Sequence, residues 1–254
     1  MVNEHCADYD FNLLRNDRLA GFARYAAGAL SSVYRIRLEG GENLPGEGPA
    51  LLLPKHNSAW DIPIHGVVLH RETKRYANYI MRKMKIGNSL LEKLGGIIVI
   101  RKADIRKVKD RGERKRFIEE VKSHNNWVWE YVKWLYSNDE LVVSYPEGRV
   151  GYGSMGKLET GVIEKILEFQ REIGIEIPII PIGTEYKGFV KIPELKTSKQ
   201  GKKFKCIPKP PVVVRAGKPI IKESDILKDR DEFEDFVREL RKEIANLSGL
   251  EYDC

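Results

Sequence analysis

Apolar positions along the chain switch between two periods. From Leu19 onward they recur at helical spacing, at Leu19, Phe22, Ala23, Ala26, Ala27, Leu30 and Val33, with Arg15, Arg18 and Arg24 among them. Residues 11–34 are therefore expected to form an amphipathic helix. It either packs on the rest of the chain or lies in a membrane interface, and packing is the preferred reading. Short apolar runs at 35–38, 50–53, 76–81, 97–100, 141–145, 177–182 and 212–215 read as strands. Helical patterns at 62–70, 86–94, 111–137, 161–173 and 231–247 stand between or after them. Turn residues punctuate the series at 40–46 and at Gly95-Gly96, and residues 196–211 read as a basic loop. This alternation predicts an α/β fold: a mostly parallel sheet flanked by helices, with an N-terminal amphipathic helical segment over 1–34 and one domain over 35–254.

The helix over 111–137 changes character along its length. Arg111, Arg114, Lys115 and Arg116 lie in its first half, and Trp127, Trp129, Tyr131, Trp134 and Tyr136 in its second. Trp127, Tyr131 and Trp134 share one face, which reads first as core.

Composition narrows the class. The 254 residues are 42% hydrophobic and 32% charged, as in a soluble globular protein with a sizeable core. No apolar run approaches the roughly 18 residues that span a bilayer. The N-terminus Met1-Val2-Asn3-Glu4-His5 is polar and does not read as a secretory signal. Cys6, Cys206 and Cys254 are scattered, so neither a disulfide framework nor a metal cluster is expected, and a reducing compartment is. The net charge of +7 points to nucleic acid, an anionic membrane surface or a phosphorylated ligand. The basic residues form no nucleic-acid recognition motif, which sets nucleic acid aside.

One stretch carries candidate chemistry: Leu51-Leu52-Leu53-Pro54-Lys55-His56-Asn57-Ser58-Ala59-Trp60-Asp61-Ile62-Pro63. On a straight helix, residues five apart diverge by about 140°. His56 and Asp61 meet only if the chain turns between them, and Pro63 at the start of a helix, with Asp61 or Ser58 as its N-cap, permits that turn. Two readings are open. Asp61 orients His56 so that its other nitrogen takes a proton from a hydroxyl, or Asp61 caps a helix near an unrelated surface histidine. His5, His65, His70 and His124 have no identifiable carboxylate partner and read as surface or helix residues. His56, Arg101 and Glu147 each stand just past a predicted strand, where α/β sheets bind ligands.

Taken together, four segments resemble the glycerophospholipid acyltransferase family, which includes bacterial 1-acyl-glycerol-3-phosphate acyltransferases. They are His56-Asn57-Ser58-Ala59-Trp60-Asp61, Gly96-Ile97-Ile98-Val99-Ile100-Arg101, Tyr145-Pro146-Glu147-Gly148-Arg149 and Ile177-Pro178-Ile179-Ile180-Pro181. Their order and spacing are similar to the family from about residue 30 to residue 247. Two features depart from it. Lys55 precedes the histidine where asparagine is usual, and Arg149 follows Gly148 directly where a threonine commonly intervenes.

The resemblance implies a 1-acylglycerol-3-phosphate O-acyltransferase-like enzyme of phospholipid biosynthesis. It would move a fatty acyl group from acyl-CoA or acyl-ACP to a hydroxyl of lysophosphatidic acid or a related glycerol phosphate or lysophospholipid. His56 would be the general base and Asp61 its orienting partner, and no acyl-enzyme is implied because no serine or cysteine sits in a nucleophile elbow. Arg101, Glu147, Gly148 and Arg149 would form the phosphate site. Guanidinium groups pair with phosphate oxygens, and the glycines allow close backbone approach. As plain chemistry Arg101 also reads as a solvated strand end beside Lys102 and Arg106. Glu147 would repel a phosphate and is expected to hold an arginine or an acceptor hydroxyl. Lys157 stands where the family often has a lysine. No metal and no permanently bound cofactor is expected. The aromatic stripe could line an acyl pocket or anchor at an interface. The implied location is cytoplasmic, peripheral on the inner face of the cell membrane. Acyl carrier protein is a further expected partner. The alternative is a non-catalytic lipid- or phosphate-binding protein on the same fold.

Overall fold

The structure is a computed structural model, and it describes residues 10–82, 88–106, 108, 110–151, 153–193 and 204–250. In chain order the elements are α1 (Asp17–Tyr34), β1 (Ile36–Glu39), β2 (Ala50–Pro54), α2 (Asp61–Thr73), β3 (Ala77–Arg82), α3 (Asn88–Lys93), β4 (Gly96–Val99), α4 (Lys102–Ile105), α5 (Arg111–Ser137), β5 (Leu141–Ser144), α6 (Gly161–Ile173), β6 (Ile179–Tyr186), β7 (Phe189–Pro193), β8 (Phe204–Pro208), β9 (Val212–Ala216) and α7 (Arg230–Leu247).

Seven strands form one sheet in the order β1-β9-β6-β2-β5-β3-β4. The run from β6 to β4 is parallel throughout. β9 runs antiparallel to β6, and β1 runs parallel to β9, so two strands at one side point the other way. The expected α/β class and mostly parallel sheet are therefore observed.

β2 is central, and Ala50, Leu51, Leu52 and Leu53 have no exposed surface. Its continuous apolar run follows from that place, since a parallel strand covered on both faces has no polar side. Leu51 and Leu53 pack with α5, α6 and α7 through Val128, Leu135, Ile166 and Leu240. Ala50 and Leu52 pack on the other face with Ile64 and Val68 of α2 and with Tyr34 at the end of α1. Burying each such aliphatic side chain contributes about 1.5–3 kcal/mol.

Two departures from the sequence reading matter, and the first reading of the α5 aromatic stripe is met. β6 runs on to Tyr186 through Pro181. The ring's missing N–H is harmless because the ladder with β9 begins only at Ile182, and the Pro181 carbonyl accepts from Gly217 N–H instead (2.9 Å). Residues 204–208, expected as loop, form β8 and pair with β7 in a separate two-stranded sheet. The aromatic stripe of α5 lies under the segment that precedes α1. Phe11 packs on Trp127, Tyr131 and Trp134 with ring centroids 5.7, 5.7 and 6.3 Å away, and Leu14 N–H donates to the Tyr131 hydroxyl (3.0 Å). The stripe is core in this fold. Of the cysteines, Cys6 and Cys254 lie outside the described residues.

Candidate active site

Because β2, β4 and β5 are parallel, their carboxyl ends share one edge of the sheet. His56 follows β2, Arg101 follows β4 and Glu147 follows β5 at that edge. After β2 the chain turns, closed by Asp61 N–H donating to Ser58 O (3.1 Å). The turn brings the Asp61 carboxylate back toward the histidine. The N-cap of α2 is Trp60 rather than Asp61 or Ser58, and Asp61 is the first residue of the helix.

His56 Nδ1 lies 2.9 Å from Asp61 Oδ2. The same oxygen accepts from the amides of Asn57 and Ser58, both at 2.7 Å, and Oδ1 accepts from the Tyr186 hydroxyl. Asp61 has no exposed surface, so this ring of donors is what permits a charge there. An ionised carboxylate only accepts, so Nδ1 carries the proton and Nε2 is the basic nitrogen. The His56 side chain keeps 15% exposure at the sheet edge. Among the two readings of the stretch, the paired one is the geometry observed.

Three further groups stand behind the pair. The Tyr145 ring packs on the His56 imidazole at 4.3 Å between centroids. Its hydroxyl meets His65 Nδ1 at 3.0 Å, and His65 Nε2 meets Thr184 Oγ1 at 2.7 Å. His65 is in a helix, as expected, but it is buried. Burial pushes its pKa down to about 4, with Asp61 opposing and His56 adding to the shift. It is neutral at pH 7. Burial also pushes the Tyr145 hydroxyl well above its ordinary value, with Asp61 adding. His65 and Tyr145, the two titratable groups behind the His56 ring, are therefore both neutral at pH 7.

The loop after β5 carries the other candidates. Gly148 has φ +63°, a left-handed conformation that suits glycine, and a Cβ there would lie 3.0 Å from Arg101 Nη1. Arg101 Nη1 donates to Gly148 O at 2.7 Å, so this arginine supports the loop. Arg149 and Lys157 are exposed on it. The Glu147 side chain is 1% exposed and its ionic partner is Lys55 (2.6 Å), which corrects the expected arginine partner. A buried carboxylate takes the cation that is buried with it.

Lys55, Tyr145, His65, Thr184 and Tyr186 carried no assigned role in the sequence. Lys55 was visible only as a departure at its position. Tyr186 and Thr184 had no local signal, because their partners are far off in the chain.

A family model described as Acyltransferase matches residues 35–185, more than half of the chain. The chain belongs to the acyltransferase family. The matched span holds His56, Asp61, Arg101 and the loop from Tyr145 to Lys157. The crystal structure of the 1-acyl-sn-glycerophosphate (LPA) acyltransferase PlsC from Thermotoga maritima is similar in fold. Its TM-score is 0.53 at 15% identity, and the alignment covers 93% of this chain and 81% of that one. At such identity the likeness concerns the fold alone. No curated protein matches the sequence. Among the described residues, no group of three or more histidine, cysteine, aspartate or glutamate side chains could hold a metal ion, and no helix is long and apolar enough to cross a membrane.

Proposed function

We propose that this acyltransferase moves a fatty acyl group from an acyl thioester, on CoA or acyl carrier protein, to a hydroxyl of lysophosphatidic acid or a related glycerol phosphate. The observation that carries the reading is the His56–Asp61 pair, with Nδ1 engaged and Nε2 left as the base. Nε2 takes the hydroxyl proton as the oxygen attacks the thioester carbonyl. The tetrahedral intermediate then expels the thiolate, which takes the proton from the imidazolium. Asp61 stabilises that imidazolium. No acyl-enzyme is formed. The amides of Asn57 and Ser58 are engaged by Asp61, so the oxyanion is met by other donors.

Arg149 and Lys157, exposed on the loop after β5, suit the acceptor phosphate. An apolar cleft of about 230 Å³ between α1 and α2 suits the acyl chain. Ala20, Ala23, Ala27, Ile62, Pro63 and Val67 are among its lining residues, and Ile62 directly follows Asp61. The small side chains of α1 leave the room.

Two features support docking on an anionic membrane surface. α1 exposes Phe22, Tyr25 and Val33 at 70, 81 and 65%. The charge is also concentrated. Residues 187–209 hold eight lysines and one glutamate, and 44 basic less eight and 37 acidic less one leave 36 of each elsewhere. The whole +7 thus belongs to the segment that follows Tyr186. Each such lysine near an anionic surface adds about 1 kcal/mol.

The deciding experiment is an acyl-transfer assay with acyl-CoA and acyl-ACP donors and a panel of acceptors, read by mass spectrometry. An ester product that depends on His56 is expected. Folded, membrane-bound protein that makes no ester would mean a binding protein on the same fold. Arg149→Ala is expected to weaken use of a phosphorylated acceptor and spare its dephosphorylated analogue. Equal loss on both would remove Arg149 from the phosphate site.

A further inference from the structure

Lys55 immediately precedes the proposed base, and its side chain is fully buried. Nζ lies 2.6 Å from Glu147 Oε1 and donates to Gly151 O at 2.8 Å. Glu147 Oε2 accepts from Gly156 N–H at 2.8 Å, and Oε1 faces His56 N–H at 3.4 Å. Gly151 N–H in turn donates to His56 O at 2.8 Å. The loop after β5 closes tightly on this pair. A Cβ at Gly151 would lie 3.2 Å from Glu147 Oε2 and 3.3 Å from Lys55 Nζ, and one at Gly156 would lie 2.8 Å from Glu147 Oε2. On its outer side the same loop exposes Arg149.

We propose that Lys55 is a positioning residue that serves acceptor selection. It does two things. It ties the loop that bears Arg149 to the backbone of His56, so base and phosphate site move as one body. It also cancels the Glu147 carboxylate, which would otherwise place an unpaired negative charge beneath a loop that receives a phosphate. The inference rests on the reading that the acceptor is phosphorylated.

The test compares wild type, Lys55→Met, Glu147→Gln and the double variant Lys55→Met/Glu147→Gln. Each is assayed with a lysolipid phosphate and its dephosphorylated analogue, with thermal unfolding as the folding control. Lys55→Met is expected to raise KM for the phosphorylated acceptor about tenfold or more, and to leave KM for the analogue within about threefold. It is expected to lower kcat on both acceptors, since a misplacement of about 1 Å can cost on the order of 100-fold. The double variant is expected to recover KM for the phosphorylated acceptor without recovering kcat. Glu147→Gln leaves a positive charge under the loop, so it is expected not to raise that KM. A merely structural lysine predicts equal KM changes on both acceptors, no recovery in the double variant and a raised KM in Glu147→Gln, and that pattern overturns the proposal. If Lys55→Met does not fold, the double variant decides. A KM near wild type with lowered kcat supports the proposal, and a tenfold higher KM for the phosphorylated acceptor alone overturns it. Binding of sn-glycerol 3-phosphate by calorimetry needs no turnover and separates this inference from the reaction itself. Wild type without ester product but with weaker binding in Lys55→Met, restored in the double variant, sinks the proposed reaction and keeps the role of Lys55. Equal binding in all variants, or none in wild type, overturns it.

Discussion

At the edge of the sheet opposite His56, Arg15 is buried and fully divided among partners. Its Nε lies 2.7 Å from Asp17, its two terminal nitrogens lie 2.9 and 3.2 Å from Glu140, and its guanidinium lies over the Tyr76 ring. Asn78 donates to Glu140 as well, at 3.0 Å. Arg75 donates to the carbonyls of Pro45, Gly48 and Asp139. At the carboxyl edge, Asp61 and the Lys55–Glu147 pair are buried with equal care, yet His56 has only one nitrogen engaged and Arg149 faces outward. Both edges bury charge by surrounding it with partners. They differ in whether a functional group is left over. A closed network can only stabilise, whereas one with a remaining nitrogen at an accessible edge can also react. The loops after β2 and β5 supply backbone amides and glycines around the charges, and they hold those charges while keeping one side open.

His56→Ala breaks the contrast most directly. With the general base removed, kcat is expected to fall ~100- to 10,000-fold while the unfolding midpoint stays near wild type. Steady-state kinetics on folded variant protein check this, and a near-normal rate at neutral pH would falsify the role of His56.

Arg15→Met should show the reverse pattern. It leaves Glu140 without its main partner, and breaking a buried pair costs about 3–5 kcal/mol of stability. The kcat of the protein that remains folded is expected to fall far less than in His56→Ala, since Arg15 borders the apolar cleft and not the His56–Asp61 pair. Denaturant unfolding alongside kinetics tests the claim. A large rate loss without a stability loss would mean that the two edges are coupled.

The third effect is titrational. His65 has its folded pKa depressed to about 4, below the ordinary 6.5, because it is buried. Between those values the unfolded chain binds the extra proton, so this group's stabilisation is present above about pH 6.5 and is lost as pH falls toward 4. The loss amounts to at most about 3 kcal/mol over that window. His65→Gln is expected to flatten the window, as read by urea unfolding at pH 7 and pH 4.5. An unchanged slope would place the acid sensitivity elsewhere.

The smallest expected effect is Tyr186→Phe. It removes the donor to Asp61 Oδ1 and leaves the three donors on Oδ2. A lost hydrogen bond to a charged group costs about 1.5 kcal/mol, roughly tenfold in kcat/KM. Wild-type kcat/KM in this variant would show that Oδ2 alone fixes the histidine.

The sequence is legible at short range. Helix α5 occupies Arg111–Ser137 as its periodicity predicts, because Asp110 caps it by accepting from Glu113 N–H at 2.8 Å and the aromatic face is internal. α6 likewise occupies Gly161–Ile173 as expected. The segments ending in His56, Arg101 and Glu147 were legible because parallel strands put their carboxyl ends together whatever their order in the sheet. Tertiary structure decided the pairing. The antiparallel entry of β9, the β7–β8 hairpin, the Tyr186 hydroxyl on Asp61 across 125 residues of chain and the Tyr145 hydroxyl on His65 across 80 have no periodic trace. Periodicity says which side chains face inward, not which element they will meet. A cation such as Lys55 reads as surface until the fold supplies a buried carboxylate beside it.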